Sequence, residues 1–191
     1  MAAGVRDTQY FFDKKPYIHP RIIEDLSTWI SDGGEQVVAI NVPGSMGTNR
    51  YFGDIKTKSG KGASLVYSEQ TEQCEKDACP FGPPHFGYRL AGKTSSGIYV
   101  LVTESGGGGS GNFKSLLFVT LHGDMGLSYD ERHLELHLTR QRWIVRRLAE
   151  IPLGDRYDGE IAVVGNSVLV GKDQNPRTAG AFPADAVLKI N

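Results

Sequence analysis

The feature that most constrains the fold is a pair of apolar runs flanking an oligoglycine segment, over residues 97–124. The first run reads Gly97-Ile98-Tyr99-Val100-Leu101-Val102-Thr103, and the second begins at Phe113 and ends at His122. Between them, residues 105–112 carry Gly106, Gly107, Gly108, Gly109 and Gly111. Both runs are rich in β-branched and aromatic residues and too short to favour helix, so they read as two strands joined by a long, flexible hairpin loop. In the second run Phe113, Leu117, Val119 and Leu121 fall on one face, and Leu116 and Phe118 on the other. A strand covered on both sides needs that pattern. The two runs are therefore expected to be antiparallel neighbours at the centre of a sheet.

The rest of the chain fits a β-rich domain. Its 24 glycines in 191 residues point to many turns, and the length suits one domain over 1–191. One helix is expected: Pro20 suits the first helical position, Ile22, Ile23, Leu26, Trp29 and Ile30 recur at helical spacing, and Asp32-Gly33-Gly34 supplies the stop. Strands are expected over 36–42, 51–57, 64–68, 86–91 and 186–190, with a hairpin of 161–164 and 167–170 about Gly165-Asn166. Two readings compete over 128–151. Ser128 and Glu131 have capping-box spacing, which would start a helix running to Glu150. Against it, Leu134, Leu136 and Leu138 alternate with His133, Glu135 and His137, and Trp143, Val145, Ala149 and Ile151 follow a turn near Arg140-Gln141. The hairpin is preferred because a helix would scatter Leu136, Trp143 and Ile144. The expected architecture is mainly β (α+β): a single curved antiparallel sheet or barrel-like sandwich with one N-terminal amphipathic helix packed on it.

Composition excludes little. A net charge of -1 provides no long-range field toward nucleic acid or an anionic membrane. No apolar leader follows the N-terminus and no run of 18 apolar residues occurs, so a cytoplasmic protein with no membrane partner is expected. In a reducing compartment Cys74 and Cys79 are expected as free thiols. The alternatives are a disulfide, or a zinc ion shared with His85 and either Glu75 or Asp77, although a structural zinc site ordinarily has a second ligand pair. Gly106, Gly111, Lys114 and Ser115 approach a phosphate-binding loop, but the spacing is wrong and a strand follows where a helix is required. On a strand rising 3.3 Å per residue, His133 and His137 stand roughly 13 Å apart, too far to share one metal with Glu135. No cofactor is expected.

The leading functional expectation is a non-enzymatic binding or interaction module for a small molecule or a protein partner. Its contact surface would be built by loops 43–49, 69–85 and 105–112, because a sheet fixes loop bases and leaves the tips free to vary. His85, Arg147, Asp155, Arg156 and Asp158 are the ligand-binding candidates, the last three from the polar cluster over 154–160. Two other classes compete. A hydrolase would pair His85 or His122 with Asp124, Asp155 or Asp158, although no nucleophile elbow is present. A phosphate or nucleic-acid binder would use Arg140, Arg142 and Arg146 around Trp143, with Asp130, Glu131, Glu135 and Glu150 close enough in sequence to neutralise them.

Overall fold

The structure, a computed structural model, describes residues 10–27, 36–46, 48–51, 53–60, 63–70, 74, 79–174 and 182–191. A short helix α1 (Pro20–Asp25) leads to β1 (Ala39–Asn41) and a four-residue helix α2 (Val42–Ser45). Then follow β2 (Lys56–Gly60), β3 (Ala63–Glu69), β4 (His85–Lys93), β5 (Tyr99–Gly106), β6 (Phe113–Asp130) and β7 (Glu135–Asp155). The chain closes with β8 (Ile161–Val164), β9 (Ser167–Val170) and β10 (Ala186–Lys189). Seven strands form one antiparallel sheet in the order β1-β7-β6-β5-β4-β3-β2, and a three-stranded sheet has the order β10-β9-β8. The edge strands β1 and β2 do not pair with each other, so the main sheet is open and not a barrel.

The two apolar runs lie where their composition places them. β5 and β6 pair in continuous register from Tyr99 opposite Val119 to Ser105 opposite Phe113, with strands on either side of the pair. Because side chains alternate across a strand, the sheet acquires two cores. Leu101, Leu117, Val119 and Val145 pack with Tyr88, Phe12, Ile18, the helix residues Ile22 and Ile23, and Leu26 just past the helix end. Val100, Val102, Leu116 and Phe118 meet Leu153, Tyr157, Ile161, Val168 and Val170 on the other side. The molecule is thus layered, with the N-terminal segment and α1 on one face of the main sheet and the small sheet on the other.

α1 starts with Pro20 at its first position and His19 as its N-cap. The imidazole Nδ1 accepts the Arg21 amide at 3.2 Å, and Nε2 stands 3.3 Å from the Gly53 carbonyl. Accepting at Nδ1 leaves the proton on Nε2 to point at that carbonyl. Burial pushes the His19 pKa below its ordinary value, which favours this neutral form. At the other end, Asp25 accepts from the Tyr51 hydroxyl at 2.6 Å and pairs with Arg50 at 2.8 Å. The expected helix is observed as far as Asp25, while Trp29, Ile30 and the Asp32-Gly33-Gly34 stop lie outside the described residues.

Several boundaries differ from expectation. The strand over 36–42 shrinks to β1: residues 36–38 are not strand, and Val42 is taken into α2 ahead of Pro43. The strand expected over 51–57 starts only at Lys56 and runs to Gly60, which pairs with Ala63 of β3. Over 128–151 neither the helix nor a turn near Arg140-Gln141 forms. β6 continues through Asp130, and β7 runs unbroken from Glu135. The turn is made instead at residues 131–134, where Asp130 carboxylate oxygens accept the amides of Arg132 and His133 and contact the His133 ring at 2.9 Å. Leu134 takes a positive φ of 56° to close it. Cys74 and Cys79 are joined in a disulfide with their Cα atoms 5.7 Å apart, which corrects the expectation of free thiols and leaves neither sulfur available to a zinc ion.

Candidate functional site

A cleft of about 630 Å³ opens where the small-sheet side of the main sheet runs out from under the small sheet. That volume is in the range of small-molecule sites. Register explains its chemistry. Gly87 on β4 lies opposite Glu104 on β5, which lies opposite Lys114 on β6, so the three form one row across the sheet. Two residues to either side of Gly87, His85 and Arg89 project from the same face. Arg89, Glu104 and Lys114 form the floor of the cleft, Tyr157, Asp158 and Glu160 one wall, and Lys58 the opposite rim.

Glu104 is the hub. Its carboxylate stands 3.7 Å from His85 Nε2 and 3.9 Å from Lys114 Nζ. The Lys114 ammonium donates to the Tyr157 carbonyl at 2.9 Å, and the Tyr157 hydroxyl donates to the Gly171 carbonyl, tying the wall to the end of β9. Burial, reinforced by Asp173 and Asp158, pushes the Tyr157 phenol up to about 12, so it remains a donor at neutral pH. Arg89 differs from these groups. Its guanidinium is half-buried, burial lowers its pKa, and Glu104 and Tyr157 act on it only through space. Among the described residues it has no hydrogen-bond or salt-bridge partner.

His85 sits at the edge of the cleft against the glycine loop. A Cβ on Gly106 would fall on its imidazole, 3.0 Å from Nδ1, so only glycine lets the ring lie flat there. The loop tip in turn packs on the Cys79 loop, since a Cβ on Gly108 would stand 3.3 Å from Cys79 Sγ and from the Gly82 carbonyl oxygen. The amide of Gln70 donates to the Pro84 carbonyl at 2.8 Å and closes the base of loop 69–85.

Comparison with protein-family models, curated proteins and solved structures finds no match.

The structure therefore speaks through geometry, and it divides the five residues singled out from sequence. Asp158 lines the cleft and accepts the Gln174 amide at 2.8 Å, and His85 joins the cleft through Glu104. Asp155 accepts the Asn112 amide at 2.7 Å, while Arg156 pairs with Asp155 at 3.4 Å and donates to the Ser110 carbonyl, so these two clamp the glycine loop. Arg147 lies on the opposite face, 3.4 Å from Glu150, whose other oxygen accepts from Ser27. Loops 69–85 and 105–112 meet beside His85. Segment 43–49 begins at the far end of the sheet, where Asn41 pairs with Ile144. Among the described residues no group of three or more His, Cys, Asp or Glu side chains is placed to hold a metal. Arg89 and Glu104 were missed from sequence because each is a single charge inside an apolar strand, and Lys114 was weighed only as part of a phosphate-binding loop whose spacing is wrong. The only signal available was the alternation His85-x-Gly87-x-Arg89 on β4.

The His85–Glu104 pair has a pH signature. The Glu104 carboxylate raises the His85 pKa above its ordinary 6.5, against burial, which lowers it, and His85 lowers that of Glu104 below 4.5. A raised histidine contributes fully below its unfolded value and loses its contribution as pH rises through its folded value. A depressed carboxylate contributes fully above its unfolded value and loses its contribution as pH falls through its folded value. The pair therefore stabilises most between pH 4.5 and 6.5. Glu104→Gln should cost about 1 kcal/mol or less in that window, as both groups are partly solvated. Denaturant titrations at several pH values should show the gap between wild type and variant narrowing above it. A gap constant from pH 5 to 9 would mean that the pair does not form.

Proposed function

We propose that this chain is a non-enzymatic binding protein and that the cleft floored by Arg89, Glu104 and Lys114 seats a small anionic molecule. The observation that carries this reading is Arg89, a half-buried guanidinium without a direct partner among the described residues, facing a cleft of ligand size. A guanidinium presents a planar fork of donors that matches a carboxylate or phosphate, and such charge-assisted bonds strengthen in a partly desolvated site. Lys114 and Lys58 add positive charge. Glu104, Asp158 and Glu160 supply acceptors for hydroxyl or amino groups on the same ligand.

The other two classes receive less support. No hydrogen bond joins His85 or His122 to Asp124, Asp155 or Asp158 among the described residues, and His85 approaches Glu104 instead. Of the arginines considered for a phosphate backbone, Arg142 is engaged by Asp124 at 2.6 Å and by the Met125 carbonyl.

The test is thermal stabilisation and calorimetry with inorganic phosphate and a series of small mono- and dicarboxylates. A ligand that binds only the folded state raises the melting temperature by mass action. At least one of these anions is expected to do so, and Arg89→Met should weaken it roughly 10- to 100-fold, the worth of a hydrogen bond to a charged group. Equal binding by Arg89→Met, or no anion bound at all, would defeat the proposal.

A further inference from the structure

Past Leu121 and Trp143 the two longest strands leave the main sheet together. β5 pairs with β6 no further than Val119, and β1 reaches β7 only over residues 144–146. Residues 123–130 and 135–143 therefore form a ribbon with no third strand among the described residues. The ribbon has two unlike sides. Leu127 lies opposite Leu138 and Tyr129 opposite Leu136 on one side, while Ser128 faces His137 and Asp130 faces Glu135 on the other. By alternation along β6, the apolar side continues the face on which Leu117 and Val119 lie under α1. Here, however, none of the described residues covers it. Met125, Leu127, Tyr129, Leu136 and Leu138, with Leu134 at the tip, are all more than half exposed, Leu138 by 74% and Leu134 by 76%.

We infer that this apolar face is an interface with the same face of a second copy of the chain, ribbon against ribbon about a two-fold axis. Area supports the choice. The six side chains expose roughly 700 Å², beyond the largest patch of an ordinary monomer and close to what each partner buries in a standard interface. A two-fold axis needs one self-complementary strip, which the leucines, methionine and tyrosine of this face provide. Charge agrees. Asp130 and His133 pair with each other, as do Glu135 and His137, and both pairs lie at the tip or on the polar side, where they stay in water when two apolar faces meet. A bilayer would instead have to take these charges and both open ribbon edges into hydrocarbon. A two-stranded ribbon alone in water is marginal, so a second layer is also what the arm needs in order to hold its shape.

Sedimentation velocity on the full chain over a range of concentrations should show twice the chain mass. Leu136→Lys combined with Leu138→Lys should weaken association more than about a hundredfold while the two cores, which contain neither residue, still unfold in a cooperative transition. Ser128→Lys, on the opposite side, should leave the dimer intact. A wild-type chain that stays monomeric at its solubility limit, a double variant that still dimerises, or monomers that bind phospholipid vesicles would each overturn the inference.

Discussion

Truncating Leu117 to alanine is expected to lower the unfolding free energy by about 3–5 kcal/mol, read as a lower urea midpoint at unchanged slope. Leu117 is fully buried, sits on β6 opposite Leu101 of β5, and faces the helix-side core that holds Tyr88, Ile22, Ile23 and Leu26. Both backbone edges of β6 are engaged at this position, by β5 on one side and β7 on the other. The strand cannot drift inward to close the hole, and a cavity that cannot collapse adds its own cost to the lost transfer energy. Phe113 provides the control on the same strand. Alternation puts it on the same face, yet it is 40% exposed, so Phe113→Ala should cost less than half as much. Equal costs for the two truncations would mean that β6 is not the buried centre of the sheet.

That centre was legible because two independent signals agree there. β-branched and aromatic composition marks 99–103 and 113–121 as strands, and apolar residues at both parities mark a strand covered on both faces. The hairpin of β8 and β9 was legible for a local reason, Gly165 at a positive φ of 61° followed by Asn166. Alternation also reads Leu136 and Leu138 correctly as one side of a strand, but it carries no information about what covers that side. A face buried by the chain's own core and a face awaiting another molecule look the same in sequence. The turn at 131–134 carries one ordinary signal, the Asp130 side chain that accepts the following amides, but it closes on a leucine at positive φ, and the alternation running through Leu134 made that residue read as strand. The cleft was half visible. Asp158 and His85 stood out from their neighbours, but the row through Glu104 and Lys114 exists only once β4, β5 and β6 are in register, and register is a property of pairing, not of any one strand.

The second large effect is expected at Gly171, where one backbone lies directly against another. The Gly171 amide donates to the Glu160 carbonyl at 2.7 Å, and its own carbonyl accepts from the Tyr157 hydroxyl. A Cβ at Gly171 would stand 2.9 Å from the Glu160 nitrogen and 3.0 Å from its carbonyl oxygen, while one at Gly159 would stand 2.5 Å from the Gly171 oxygen. No rotamer change relieves a clash with backbone, so the strap over 157–160 must move away from the end of β9. Gly171→Val is therefore expected to cost about 3 kcal/mol through overpacking. Its signature should differ from that of Leu117→Ala, which weakens the layer under α1. Tyr157, Ile161, Val168 and Val170 belong to the core between the two sheets, so amides of β8 and β9 should lose hydrogen-exchange protection before those of β4, β5 and β6. The same displacement moves Tyr157, Asp158 and Glu160, which form one wall of the cleft, and releases the Tyr157 carbonyl that anchors Lys114. Anion binding should fall with it even under conditions where the main sheet remains folded. A Gly171→Val chain that keeps both its small-sheet protection and its anion affinity would show that the strap is not held by this contact, and that the cleft owes its wall to something other than the junction of Glu160 with the end of β9.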